Sequence, residues 1–171
     1  MVTIRPAEPH DLPALARIED AGDALFAQHF GPVDWPPASS GEERAAEPGF
    51  LLVAVEDVDE VAGFAHVLDL GGHWHLEQIA VDPTHGRRGI GAALLAAVHE
   101  EVARRGGREV TLTTYADVPW NGPWYASHGY AVLERLPDRL RPFADAEERL
   151  GMQRHGRRVA MVRAVGPGRS G

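Results

Sequence analysis

The sequence predicts a protein of the α/β (α+β) class, built on a central mixed, mostly antiparallel sheet of about seven strands flanked by helices. Three observations lead to this expectation. The chain has 171 residues, of which 44% are hydrophobic, and this is enough for one domain with a real core. Three strand candidates separated by short turns follow one another, as in an antiparallel meander. A clear amphipathic helix then leads to a further strand, which indicates a parallel crossover.

The N-terminal part of the chain predicts a strand, a helix and a long loop. Val2 to Arg5 is a short strand candidate. Asp11 can cap a helix, because its carboxylate can accept hydrogen bonds from backbone N–H groups of the first turn. The prolines and serines between Gly31 and Gly49 predict a loop, with one helical turn around Glu42 to Ala46. The apolar residues of the predicted helix are Leu12, Leu15, Ile18 and Leu25.

Three strand candidates follow this loop. They are Phe50 to Glu56, Val61 to Leu70 and Trp74 to Val81. The segment Asp57 to Glu60 and the Gly71-Gly72 pair supply the turns. Because both connections are short, neighbouring strands should run antiparallel.

The clearest helix runs from Gly89 to Arg105, and Gly106-Gly107 ends it. The strand predicted at Val110–Thr114 should lie parallel to Trp74–Val81, because crossovers between parallel strands are right-handed. The apolar residues that recur at helical spacing are Ile90, Leu94, Leu95, Val98 and Val102.

The C-terminal part of the chain adds two helices and two strands. We expect a single domain over residues 1–165 and a loose tail over residues 166–171. The predicted elements are a helix at Gly122–His128, a strand at Tyr130–Leu133, a helix at Pro142–Met152 and a strand at Arg157–Val165.

Composition narrows the class of function. The net charge of −8 argues against a nucleic-acid partner. Cysteine is absent, which excludes disulfides, thiolate metal sites and a cysteine nucleophile, and suits the cytoplasm as the location. The longest apolar runs are too short to span a membrane, so we expect no membrane partner.

A glycine-rich loop opens the clearest helix and predicts a phosphate site. Gly86, Gly89 and Gly91 let the backbone approach a ligand, and the first helical turn leaves N–H groups without partners. Arg87 and Arg88 add positive charge that can bind phosphate oxygens. The glycine spacing differs from that of the dinucleotide fingerprint, and the chain has no lysine to complete a Walker loop. The loop by itself therefore indicates phosphate without naming the ligand.

Two motifs resemble those of the GNAT N-acetyltransferase superfamily. Val81–Leu95 resembles its acetyl-CoA motif, R/Q-x-x-G-x-G/A after a strand, and Trp124–Tyr130 resembles its FYxxxGF element. Gly86 occupies the usual Arg/Gln position of the first motif. The asparagine that many members carry seven residues before the tyrosine is replaced by Val118, and Asn121 lies only four residues before it. The order of strands and helices also fits, so the resemblance covers nearly the whole chain.

The resemblance implies an enzyme that uses acetyl-CoA as co-substrate, needs no metal and acts on a primary amine, most simply that of a small molecule. Polyamines, aminoglycosides, amino acids, arylalkylamines and protein N-termini all stay open as acceptors. It also implies that Trp74–Val81 splays from Val110–Thr114 and that the pantetheine arm lies in the gap. Homodimers are common in the superfamily and possible for this chain. The implied cofactor contacts are Ile79, Ala80 and Val81 beside the arm and thioester, Gly86, Arg87, Arg88, Gly89, Ile90, Gly91 and Ala92 at the pyrophosphate, and Asn121.

Direct attack by an amine needs a base and an acid, because the amine must be neutral and the leaving thiolate needs a proton. Glu77 is the expected base and His75 the second candidate or a relay partner; Glu77 could equally be a structural hydrogen-bond acceptor. The resemblance implies that Tyr125 is the acid, although it could be a core aromatic. Strand alternation is expected to place one set of residues on one face of the strand: His73, His75, Glu77, Ile79 and Val81.

Aromatic residues are expected to line the acceptor pocket, with the helix at Pro142–Met152 as one wall. Two other functions stay open. One is a module that binds acyl-CoA without catalysis, and the other is a metal-dependent hydrolase that uses His73, His75 and Glu77. The candidate pocket residues are Phe26, Phe30, Trp35 and Trp120, with Trp124 in the same cluster.

Overall fold

Seven strands form one open, mixed sheet in the computed structural model, which describes residues 1–57 and 59–166. This confirms the predicted sheet. Of the predicted tail, residues 167–171 lie outside the described residues. The strands are β1 (Thr3–Pro6), β2 (Gly49–Glu56), β3 (Glu60–Asp69), β4 (Trp74–Val81), β5 (Glu109–Tyr115), β6 (Ala131–Val132) and β7 (Arg158–Ala164), and their order across the sheet is β1-β2-β3-β4-β5-β7-β6.

The helices lie close to their predicted positions. The one predicted at Pro142–Met152 ends early, because Gly151 takes a left-handed φ of 69° that stops an α-helix. None of the helices in the described part of the chain is long and apolar enough to cross a membrane. The helices are α1 (Leu12–Phe30), α2 (Gly41–Ala45), α3 (Ile90–Arg104), α4 (Gly122–Ser127) and α5 (Arg141–Arg149).

The sheet carries a hydrophobic core on each face. On one face, Leu15 and Ile18 of α1 pack with Phe64 of β3. On the other, the apolar stripe of α3 packs against the middle strands, and burying each such side chain stabilises the fold by about 1.5–3 kcal/mol. The stripe residues are at most 2% exposed and are Ile90, Leu94, Leu95, Val98 and Val102.

The sheet opens between its two middle strands, β4 and β5. β2 to β4 form the predicted antiparallel meander, β1 pairs antiparallel with β2, and β4 runs parallel to β5 as expected. The parallel pairing is limited to Trp74 with Val110 and His75 with Thr111. Beyond these pairs the strands diverge, so the backbone of β4 that faces β5 is left without a strand partner there.

A β-bulge in β4 overturns the expected alternation. His66 pairs with Gln78 and the next residue of β3, Val67, pairs with Leu76, so Glu77 is left unpaired. Such an extra residue reverses the face of the sheet to which each later side chain of the strand points. Ile79 and Val81 accordingly pack in the core beneath α3, as Leu76 does. The expectation that Ile79 and Val81 share a face with His75 and Glu77 was therefore wrong.

Candidate active site

A cavity of about 410 Å³ occupies the gap between β4 and β5. Its walls come from the diverging strands and from three segments that cover the gap: α1, the loop before α2, and α5. The helix expected at Pro142–Met152 thus does form one wall. The residues that bear on chemistry are Glu19, Asp23, Phe26, Trp35, Arg44, His75, Glu77, Ile79, Tyr115, Asn121, Tyr125, Phe143, Glu147 and Arg158.

The glycine-rich loop joins β4 to the N-terminus of α3. Gly89 has a φ of 73° and Arg87 a φ of 65°, so the loop backbone takes the left-handed conformation at two residues. The first α3 hydrogen bond joins the N–H of Ala93 to the carbonyl of Gly89 at 3.0 Å. The N–H groups of Ile90, Gly91 and Ala92 therefore have no partner within the helix, and the helix dipole adds positive charge there.

The loop is open to a phosphate group. Gly86, Arg87, Arg88 and Gly89 are exposed, and a Cβ on Gly89 would meet nothing within 4 Å. The approach to the free N–H groups is therefore open. Gly91 stands where an added Cβ would lie 3.6 Å from the Trp124 ring. Ala80 of β4, which the resemblance also gave as a cofactor contact, packs beneath α1, on the opposite face of the sheet from Ile79 and Val81.

Glu56 of β2 holds the loop from the side. Its carboxylate accepts from Arg88 at 2.9 Å and lies 2.8 Å from Nδ1 of His85. These contacts, that of Arg88 foremost, lower the pKa of Glu56. Arg88 is thereby kept beside the N-terminus of α3.

Glu77 faces a buried guanidinium. Arg44 of α2 is 4% exposed and donates to Glu77, to Glu19 at 2.6 Å, and to Nδ1 of His66 at 2.9 Å. Desolvation opposes ionisation of Glu77, but the contact with His66 and the charge of Arg44 outweigh it and lower the pKa of Glu77 to about 2. The Glu77 side chain is 34% exposed, so a fixed negative charge reaches the cavity.

His75 is buried on the cavity wall. Its Nδ1 lies 2.8 Å from Oγ1 of Thr111, and its ring stacks on Phe143 at 4.5 Å between centroids. Burial lowers the pKa of His75 to about 4, so the ring is neutral at pH 7. No hydrogen bond joins His75 to Glu77 in the described part of the chain, which leaves the expected relay between them without a direct contact.

Tyr125 lies on α4, the helix that follows β5, and lines the cavity. Its side chain is 9% exposed and touches the rings of Trp124 and Tyr130, with centroids 5.0 Å and 5.7 Å away. Burial raises the pKa of Tyr125, so the phenol keeps its proton at neutral pH. Asn121 precedes α4 and also lines the cavity, and its Oδ1 accepts from the backbone N–H of Tyr115 at 3.4 Å.

The four candidate pocket aromatics form one cluster in two layers. Phe26 and Trp35 line the cavity, with ring centroids 5.4 Å apart. Phe30 and Trp120 pack against Phe26 at 5.9 Å and 5.5 Å, outside the lining. The outer rings support the wall from behind: both pack against Phe26, and Phe30 also packs against Tyr115 at 5.1 Å.

Five charged residues of the cavity escaped the sequence analysis: Glu19, Asp23, Arg44, Glu147 and Arg158. Glu19 and Asp23 lie four residues apart on α1, and Phe26 follows three residues later, so one face of the helix carries all three. That spacing was the available signal. No sequence pattern indicated Arg44, because the burial of an arginine depends on carboxylates that come from distant segments of the chain.

The three proposed metal ligands do not converge. His73 is exposed before β4, His75 is buried, and Glu77 is paired with Arg44. Across residues 1–57 and 59–166, no group of three such side chains is arranged to hold a metal ion. The geometry therefore gives no support to the hydrolase alternative.

The sheet splays after its fourth strand, and beside the opening lies a helix N-terminus whose free N–H groups are open to a phosphate. Residues 19–130 match the family model described as the acetyltransferase (GNAT) family, and the chain belongs to that family. The resemblance in the motifs is thereby confirmed.

Solved structures share the fold over nearly the whole chain. The ribosomal-protein-S18-alanine N-acetyltransferase of Escherichia coli is 24% identical, with a TM-score of 0.68 over 97% of this chain and 95% of that one. The PaiA N-acetyltransferase of Thermoplasma acidophilum, solved with coenzyme A, is 15% identical, with a TM-score of 0.70 over 96% and 99%. At these identities the likeness shows the fold alone.

Relatives by sequence match over a shorter stretch. A mycothiol acetyltransferase of Clavibacter michiganensis subsp. michiganensis is 41% identical over 96 residues, which are 54% of this chain and 30% of that protein. A second, from Clavibacter sepedonicus, is 39% identical over 80 residues and 26% of its length. The chain thus spans less than a third of the length of these curated relatives.

Proposed function

We propose that the protein is an N-acetyltransferase that moves the acetyl group of acetyl-CoA to a primary amine, most simply that of a small molecule, by direct attack. The observation that carries the proposal is the cavity between β4 and β5, on the strand that leads into the phosphate-binding turn of α3. Membership of the GNAT family supports it.

The loop and β4 would hold the co-substrate. The free N–H groups of Ile90, Gly91 and Ala92, with Arg87 and Arg88 beside them, would bind the pyrophosphate. The unpaired backbone of Ile79 and Val81 would hydrogen-bond the extended arm as a neighbouring strand would. When bound, acetyl-CoA supplies an activated acetyl thioester.

Glu77 is the proposed base. Its negative charge draws an ammonium group into the cavity, and its carboxylate can accept the proton that the amine must lose before attack. A pKa of about 2 keeps Glu77 ionised at neutral pH, so the proton of the amine would pass to water that the carboxylate orients. His75 is the second candidate, with a neutral ring on the same cavity.

Tyr125 is the proposed acid. It lines the cavity, and burial keeps the proton on its phenolic oxygen, where it can be given to the departing sulfur. Asn121 would help to fix the start of α4 and hence the position of Tyr125.

The test is a thiol-release screen with acetyl-CoA and a panel of amines, alongside acetyl-CoA binding by thermal shift. The proposal predicts that acetyl-CoA raises the melting temperature and that at least one amine class releases thiol. Binding without thiol release for every amine would favour the non-catalytic acyl-CoA sensor. Absence of acetyl-CoA binding would overturn both.

A further inference from the structure

We propose that Asp23 anchors a positively charged acceptor, and that the acceptor is an aromatic or apolar amine with no carboxylate beside the amino group. This inference rests on the proposed function. It names a specificity-determining residue of α1 and a chemical class of acceptor for the same cavity.

The position of Asp23 is set by α1. Glu19, Asp23 and Phe26 share one face of this helix and line the cavity from the side that covers the β4–β5 gap. Glu77 on β4 and Tyr125 on α4 line the same cavity. A molecule in the cavity can therefore contact Asp23 together with the ring of Phe26.

The charges of the cavity leave Asp23 unsatisfied. Two guanidinium groups line the cavity, and both are used: Arg44 by Glu19 and Glu77, and Arg158 by Glu147. Among the described residues, Asp23 makes no hydrogen bond or ion pair, although it is partly buried.

This balance discriminates between acceptors. An ammonium group can pair with Asp23, whereas a carboxylate on the acceptor would meet an excess of negative charge and no available guanidinium among the described lining residues. Amino acids should therefore be poorer acceptors than the amines that lack their carboxylate.

The neighbouring aromatic rings suit a flat apolar body. Phe26, Trp35 and Tyr115 all line the cavity. The rings of Trp35 and Tyr115 are nearly parallel, at 20°, with centroids 6.4 Å apart, and Phe26 lies 5.9 Å from Tyr115. Tyr115 itself is 1% exposed, with the Arg158 guanidinium 4.5 Å from its ring centroid, so the aromatic surface open to a ligand comes from the partly buried Phe26 and Trp35. These two rings can pack against an apolar body and attract a nearby cation.

The raised pKa of Asp23 fits a carboxylate whose missing partner is a bound cation. Burial, followed by the charges of Glu19 and Asp20, raises the pKa of Asp23 to about 6, while Arg44 acts in the opposite direction. A bound ammonium would favour the ionised carboxylate.

The test is calorimetric titration of the CoA-saturated protein with phenylethylamine and with phenylalanine, which differ by the carboxylate. We expect phenylethylamine to bind at least about 10-fold more tightly. Asp23→Asn should weaken phenylethylamine binding by about 10- to 100-fold, the loss expected for a charge-assisted hydrogen bond. Asp23→Glu should retain part of the affinity. The matched control is Glu100→Gln, which removes the same charge from an exposed position on α3 outside the cavity lining and should leave binding unchanged.

Equal affinity for the two probes, unchanged binding by Asp23→Asn, or no binding of phenylethylamine to the unaltered protein would each overturn the inference. The proposed function fails separately. Binding of phenylethylamine through Asp23 with no thiol release from acetyl-CoA would keep the anchor and remove the acetyl transfer.

Discussion

The guanidinium of Arg44 donates to the carboxylate of Glu77 and so ties the short helix α2 to the bulged strand β4. The same group donates to Glu19 of α1 at 2.6 Å. One buried cation therefore connects three elements around the cavity. It also keeps Glu77 ionised where the acceptor would bind.

Arg44→Met should lower the free energy of unfolding by about 3 kcal/mol, because it leaves two carboxylates in a largely buried region without their cation. The measurement is urea unfolding at neutral pH. The matched control is Arg104→Met, which removes an exposed partner of Glu101 and should cost about 0–1 kcal/mol. Equal losses in the two variants would show that the Arg44 network is not structural.

Asp23→Asn should stabilise the protein in a pH-dependent way. The pKa of Asp23 is about 6 in the fold against an ordinary value of 3.8, so the fold holds its proton more tightly than the unfolded chain. The stability due to this proton is present below the unfolded pKa and is lost as pH rises through the folded pKa. Removing the charge should therefore gain about 1 kcal/mol at about pH 7.5, after allowance for screening, and almost nothing at about pH 4.

Urea unfolding at the two pH values measures this gain, with Glu100→Gln as the charge-matched control. A variant less stable than the unaltered protein at the higher pH would contradict the assigned environment of Asp23. Stabilisation joined to weaker amine binding is the pattern expected of a residue retained for its ligand.

Gly89→Ala should weaken acetyl-CoA binding by about 10-fold or more. The left-handed φ of Gly89 would be strained by a Cβ at a cost of about 1 kcal/mol, and the methyl group would stand at the approach to the free N–H groups of α3. Calorimetric titration with acetyl-CoA measures the loss.

Gly106→Ala is the control for backbone strain. Gly106 follows the other end of α3 with a φ of 85°, and an added Cβ would again meet nothing within 4 Å. It should lose similar stability and keep full affinity. Equal affinity losses in the two variants would remove the phosphate-binding role of the loop.

Tyr125→Phe should lower turnover by about 100-fold while leaving acetyl-CoA affinity nearly unchanged, because it removes a proton donor and little packing. Tyr130→Phe is the matched control. That phenol is buried in the same core and lies 2.7 Å from Nε2 of His99, so its loss should affect stability and spare turnover. Unchanged turnover in Tyr125→Phe would show it to be a core aromatic only.

The sequence predicted most of the fold and the loop, and it missed how β4 turns its side chains. The helices and strands were predicted from local periodicity, and the glycine-rich turn was predicted from its composition. The bulge at Glu77 depends on the pairing of β4 with β3, which no local pattern encodes, so the facing of Ile79 and Val81 was predicted wrongly.

Only the site residues that belong to a motif or to its strand were predictable from the sequence. Glu77 and Tyr125 do line one cavity, while their catalytic roles stay predictions. Asp23 and Arg44 belong to no motif, because their importance comes from charges that converge from α1, α2 and β4. Burial and ion pairing are tertiary properties, and the sequence alone does not state them.

The most direct measurement of the central claim follows acetyl-CoA and an amine in one reaction mixture, with free thiol and acetylated amine quantified together. The account predicts that the two products appear in equal amounts, at a rate that Tyr125→Phe reduces and Glu100→Gln does not. Thiol release without acetylated amine, or no reaction with any amine despite tight acetyl-CoA binding, would contradict it.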